Sequence, residues 1–183
     1  MSKTKLPRIE NINYSEAGNH EHNETNIVLS CGTGSGLTLP IGNGNGCYQP
    51  PALVVGTVNL DTSGMHKPNV KIDFSSIINL RVESECGGYL LGITFQLSKT
   101  CNNGVKLPLG TWIFQKEVDV YLEAPGPDCV EIDIMEPFGF KWCECDVCPG
   151  CCTYLIEIID FASDYVTSAS ITNVAISAMA VSS

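Results

Sequence analysis

The amino-acid sequence predicts an all-β protein: a single β-sandwich of jelly-roll type, with about eight or nine strands and an extended N-terminal arm. Three observations carry this. Short β-branched segments recur at roughly ten-residue spacing, clusters of turn residues separate them, and no segment carries the i, i+3, i+4, i+7 apolar stripe of a capped helix. With 183 residues, 44% of them hydrophobic, the chain can bury one core, and a single domain is expected.

Residues 1–25 are polar and aperiodic, with His, Asn and Glu concentrated between Gly18 and Asn26. They read as an arm or connector, either solvated or ordered only on a partner. The sandwich domain then spans 26–183 and opens with the β-branched run Asn26–Cys31. The glycines of Gly32-Thr-Gly-Ser-Gly36 and Ile41-Gly-Asn-Gly-Asn-Gly46 suggest phosphate loops at first sight. They lack the Lys of a Walker A motif and no helical pattern follows, so they read as turns between strands. Strands are then expected at Ala52–Leu60, Val70–Phe74, Ile77–Glu83, Tyr89–Leu97, Thr111–Leu122, Val130–Met135, Phe138–Glu144, Thr153–Phe161 and Ala169–Val181. Alternation is cleanest where Val118, Val120 and Leu122 oppose Glu117, Asp119 and Tyr121, and where Val130, Ile132 and Ile134 oppose Glu131 and Asp133. Turn signals lie at 61–64, 86–88, 101–104, 125–127 and 148–150.

Charge narrows the partners. Ten Lys+Arg against 20 Asp+Glu give a net charge of −10, and the basic residues are scattered, so neither nucleic acid nor an anionic membrane surface is expected as a partner. No run of about 18 apolar residues marks a membrane span. The start, Met-Ser-Lys-Thr-Lys-Leu-Pro-Arg, has no apolar core behind its charges and is not expected to act as a secretory signal. The Asn13 and Asn23 sequons are accordingly not expected to carry glycans. Ten cysteines are nonetheless unusual for a reducing compartment.

The densest feature is Cys143-Glu-Cys145-Asp-Val-Cys148-Pro-Gly-Cys151-Cys152. A ferredoxin-type iron–sulfur motif fails, because the fourth ligand position falls on Leu155. A zinc site on Cys143, Cys145, Cys148 and Cys151 is an alternative, although Cys31, Cys47, Cys86, Cys101 and Cys129 are singletons that supply no second half-site. The favoured reading is disulfides. Cys143 and Cys145 share one face of a strand, while adjacent Cys151 and Cys152 point to opposite faces, one inward and one toward a neighbouring strand or subunit. Cys143, Cys145, Cys148, Cys151 and Cys152 are therefore candidate crosslinking residues, Cys31 at the junction of arm and domain is a further one, and no cofactor is expected unless zinc occupies the cluster. His20 and His22 lie in the polar arm without a third ligand nearby, and His66 lies in a turn with no nucleophile around it. The Glu117/Asp119 and Glu131/Asp133 pairs have the spacing of a solvated strand face rather than of an acid–base pair. Trp112 and Trp142 sit among strand residues and read as core rather than as a sugar platform. No enzyme is expected.

Ser30-Cys-Gly-Thr-Gly-Ser-Gly36, Lys67-Pro-Asn-Val-Lys-Ile-Asp-Phe-Ser-Ser76, Leu109-Gly-Thr-Trp112 and the Cys143–Cys152 cluster running into Thr-Tyr-Leu-Ile-Glu157 resemble a clostridial family of unknown function, DUF4489, over about residues 26–182. In size, strand number and cysteine content the chain is also similar to the endospore appendage (Ena) pilins. There, jelly-roll subunits stack by edge-strand pairing and an N-terminal connector is disulfide-bonded to neighbours. The chain departs from them in having no cysteine in residues 1–30. The resemblance implies a self-assembling structural subunit of a spore-associated fibre or surface layer. Its partners would be copies of itself and other spore-surface proteins. Such a protein is made in the mother-cell cytoplasm without a signal peptide, displayed at the extracellular spore surface, and oxidised after release. The alternative is a monomeric module that binds zinc on the cysteine cluster or carbohydrate on a sandwich face.

Overall fold

The structure is a computed structural model that describes residues 26–41, 51–84, 88–118 and 130–182. Ten strands follow in order: β1 Ile27–Cys31, β2 Thr33–Gly34, β3 Leu37–Thr38, β4 Leu53–Asp61, β5 Asn69–Ser84, β6 Tyr89–Cys101, β7 Leu107–Val118, β8 Val130–Glu144, β9 Cys151–Asp164 and β10 Val166–Val181. There is no helix among the described residues. One sheet runs β1-β10-β5-β8, with β3 also on β10, and the other runs β2-β4-β9-β6-β7, every pair antiparallel. Of the eight long strands, only β6 and β7 are consecutive neighbours in one sheet; the other steps cross between sheets. Two five-stranded sheets, each with four of the long strands, joined by these crossovers form a jelly roll, as the sequence predicts.

The alternating pattern explains which face is buried. In β6, Leu91, Ile93, Phe95 and Leu97 point inward against Ile72, Phe74, Ile78 and Leu80 of β5, and all are nearly or wholly buried. Burying each such side chain contributes about 1.5–3 kcal/mol. An aromatic layer closes the β7–β8 side: Trp112 stacks on Phe140 at 3.8 Å between centroids, meets Trp142 edge-on at 6.0 Å, and Phe138 packs on Phe95 at 4.7 Å.

The structure departs from the sequence reading in three places. The two strands expected at 70–74 and 77–83 are one, because Ser76 is buried in mid-strand with its hydroxyl donating to the Phe138 carbonyl at 3.3 Å. The segments 130–135 and 138–144 are likewise one strand, β8, running through Pro137. β8 is an edge strand, where a missing N–H on the open side breaks no ladder bond. The Gly32–Gly36 segment is an extended crossing between sheets rather than a turn. Gly32 N–H donates to the Ile176 carbonyl at 2.9 Å, and Ser35 N–H to Val55 on the other sheet at 3.0 Å. A Cβ on Gly32 would lie 2.3 Å from the Thr57 carbonyl oxygen, and one on Gly34 2.3 Å from that of Val174. Backbone can pass through so narrow a seam only without side chains. The arm at 1–25, the glycines at 42–46, and the strand and turn positions at 86–87 and 119–127 lie outside the described residues.

Candidate functional site

The cysteine cluster lies at one end of the sandwich, where β8 hands over to β9. Cys143 is on the outer face of β8, in register with Lys71 of β5. The Lys71 ammonium bonds Asp73 at 2.9 Å, and this carboxylate holds the lysine pKa above its usual value. The 145–150 connector is tied down along its length. Asp146 N–H donates to the Asn69 side-chain oxygen (3.2 Å), Val147 N–H to the Pro68 carbonyl (2.9 Å), and Gly150 N–H to the buried Thr62 hydroxyl (3.1 Å). Asp146 has φ 51° and Gly150 φ 157°, and a Cβ on Gly150 would press on Asn102 at 2.9 Å. Val147 is buried, which leaves Cys145 and Cys148 on either side of it exposed.

At the start of β9 the alternation separates neighbours: Cys152 is buried and Cys151 exposed. Cys152 lies directly opposite Cys101, the last residue of β6, with Cα atoms 4.0 Å apart, and the two form a disulfide. Cys101 is thus a site residue that the sequence reading left among the singletons. Asn102 and Asn103, with φ 50° and 58°, turn the chain away from the bond, and Asn102 N–H donates back to the Cys151 carbonyl at 2.9 Å. Cys152, expected among the crosslinking residues, is closed within the chain. Cys31, Cys143, Cys145, Cys148 and Cys151 are free and exposed. Cys47, Cys86 and Cys129 lie outside the described residues, as do His20 and His22.

Cys31, at the end of β1, shares a face with Cys143. The register places Cys31 in one row with Ser177, Asp73 and Lys141, and Cys143 in the next with Lys71, Met179 and Leu29. The two thiols stand at opposite edges of the sheet, three strand spacings across and one row along, about 16 Å apart. That is roughly twice the Cα reach of a disulfide, so they do not bond within one chain.

Behind the cluster, Lys99 of β6 and Glu144 of β8 pair across the sheets. Tyr154 lies beside them, wholly buried, its phenol oxygen without a protein partner; burial, and secondarily Glu144, push its pKa up. The Trp142 Nε1 and Glu144 Oε2 atoms are also buried and unpaired. Among the described residues no three His, Cys, Asp or Glu side chains converge as metal ligands, so Cys143, Cys145, Cys148 and Cys151 are not brought together as the zinc alternative requires. Trp112 and Trp142 are packed against Phe140 and each other rather than laid out as a sugar platform. Asp133 is held by Arg81 at 2.8 and 3.2 Å, which lowers its pKa and keeps it ionised, and Glu131 pairs with the same arginine at 3.0 Å.

The model of the family described as a domain of unknown function (DUF4489) matches residues 25–181. No curated protein and no solved structure matches the chain.

Proposed function

The chain belongs to the DUF4489 family, and from its edges and thiols we propose that it is a structural, self-assembling subunit of a spore-associated extracellular fibre or surface layer. Copies join by edge-strand pairing and are fixed by disulfides. One observation carries this: among the described residues five thiols are exposed on a β-sandwich, at both edges of one sheet and around a tied-down connector, while Cys101 and Cys152 are closed into a disulfide within the chain. An inward disulfide stabilises the subunit; outward thiols serve contacts beyond it. Large apolar side chains are exposed on the same sheet, among them Leu29 at 68%, two residues from Cys31, and Met135 at 73% on β8. Disulfides between copies would make such an assembly kinetically resistant, because a subunit leaves only when every link has opened.

Non-reducing electrophoresis of air-exposed protein tests this reading. A ladder of multiples that collapses to monomer with reductant is expected. A single monomer band in which Cys31, Cys143, Cys145, Cys148 and Cys151 all remain alkylatable would refute it.

A further inference from the structure

We infer that β7 is a joining edge of the sandwich: two copies pair β7 against β7 across a two-fold axis at Ile113, so that one sheet runs through both. This rests on the self-assembly reading and names one of its contacts. Among the described residues no strand pairs with the outer side of β7.

Free hydrogen-bonding groups are the first argument. Asn102 N–H, one residue past β6, donates to the Cys151 carbonyl of β9. Even-numbered residues of β6 therefore turn their backbone groups toward β9, and odd-numbered ones toward β7. Phe95, Ile93 and Leu91 lie opposite Trp112, Phe114 and Lys116, which accordingly bond to β6. Thr111, Ile113, Gln115 and Glu117 are left with their N–H and C=O groups on the open side. The same count puts Pro108, beyond the irregularity at Leu97/Ser98, on that side too, where a missing N–H breaks no ladder bond.

The condition of the edge is the second. Sheets ordinarily blunt their edges with proline, outward lysine, bulges or very short strands. β1 has five residues, β8 carries Pro137 in mid-strand, and β2 covers part of β4. From Gly110 to Val118, by contrast, the β6–β7 ladder has no register shift and the strand has no proline. Its one lysine, Lys116, turns to Glu136 of β8 at 2.6 Å. Ile113 stands 67% exposed in the middle of this stretch.

Self-complementarity is the third, and it selects a second copy as the partner. A strand laid against its own copy by a two-fold axis is antiparallel to it, the sense of every pair in this fold. With Ile113 opposite Ile113 of the second copy, Thr111 falls opposite Gln115 on both sides of the axis. The three pairs supply about six backbone bonds. The two isoleucines form an apolar cross-strand pair. Glu117, the one charged side chain among the four, falls beside Leu109 of the other copy and meets no like charge. Such a contact is isologous and closes on itself. Linking these pairs into longer assemblies falls to the outward thiols.

The test keeps the full chain reduced, so that no disulfide holds copies together, and follows mass against concentration by analytical ultracentrifugation. A reversible monomer–dimer equilibrium is expected. Hydrogen exchange read by NMR should show the Ile113 and Gln115 amides protected at high concentration and open on dilution, with those of Trp112 and Phe114 protected throughout. Ile113→Lys sets like charges face to face at the axis. Gln115→Pro removes an outward N–H and leaves the β6 ladder donors in place. Each should weaken the dimer at least about tenfold while the circular dichroism of the monomer is unchanged, and Ile113→Val should dimerise like the parent. A dimer that Ile113→Lys leaves intact, or one without protection at Ile113 and Gln115, would overturn this interface while leaving self-assembly standing. So would reduced protein that stays monomeric at every concentration yet forms a disulfide ladder in air. Monomer alone in reduced and oxidised protein alike would overturn both.

Discussion

Opening the Cys101–Cys152 bond should cost the fold about 4 kcal/mol. The bond joins residues 51 apart in sequence. The loop-entropy relation then gives roughly −14 cal/mol/K for the unfolded chain, or ~4 kcal/mol at 25 °C. At about 2–4 °C per kcal/mol for a domain of this size, the melting temperature falls by roughly 8–16 °C. The assay compares oxidised protein with the Cys101→Ala/Cys152→Ala double variant, after native alkylation of the exposed thiols so that none can re-pair. Thermal and urea denaturation are read by circular dichroism. Reductant should lower the melting temperature of the parent by roughly that margin more than it lowers that of the double variant. The reasoning is refuted if the double variant loses less than about 1 kcal/mol, since a closed loop of this length cannot then be constraining the unfolded chain.

Three further outcomes follow from the same packing. Gly34→Ala drives a Cβ to 2.3 Å from the Val174 carbonyl and should cost at least about 1–3 kcal/mol, whereas Gly92→Ala, with nothing within 4 Å, should be neutral or stabilise by about 0.5–1 kcal/mol in urea titrations. Tyr154→Phe removes a buried hydroxyl without a protein partner, so equilibrium unfolding at neutral pH should show no loss and a gain of up to about 1–2 kcal/mol. Because the folded-state pKa of Tyr154 is raised, its contribution is fully present below the unfolded phenol's value of about 10 and is lost as pH climbs above it. The parent should therefore weaken above that pH more steeply than Tyr154→Phe, as pH-dependent melting will show.

Period-two patterning made the strands legible because each is half-buried, and the inward set of β6 is readable residue by residue. What escaped was whatever depends on a distant neighbour. Cys101 has the inward parity of Leu91 to Leu97, which marks it as an inward-facing residue, but its partner lies on β9, and only the crossover topology makes those strands adjacent. Pro137 looks like a strand breaker until β8 is known to be an edge. Gly32 and Gly34 have the composition of a turn; the seam that demands them is formed by Thr57 and Val174, residues brought there by other strands. The exposed thiols were named from the sequence because the Cys143–Cys152 spacing is local. The placing of Cys31 and Cys143 on one face comes from the register of four strands.

The central claim is that this chain assembles with itself through a sandwich whose outward thiols lock copies together. Negative-stain electron microscopy of the full chain, before and after air oxidation, tests it most directly. Filaments or sheets that survive denaturant until a reductant is added are the predicted result; monodisperse single particles under oxidising conditions would contradict it.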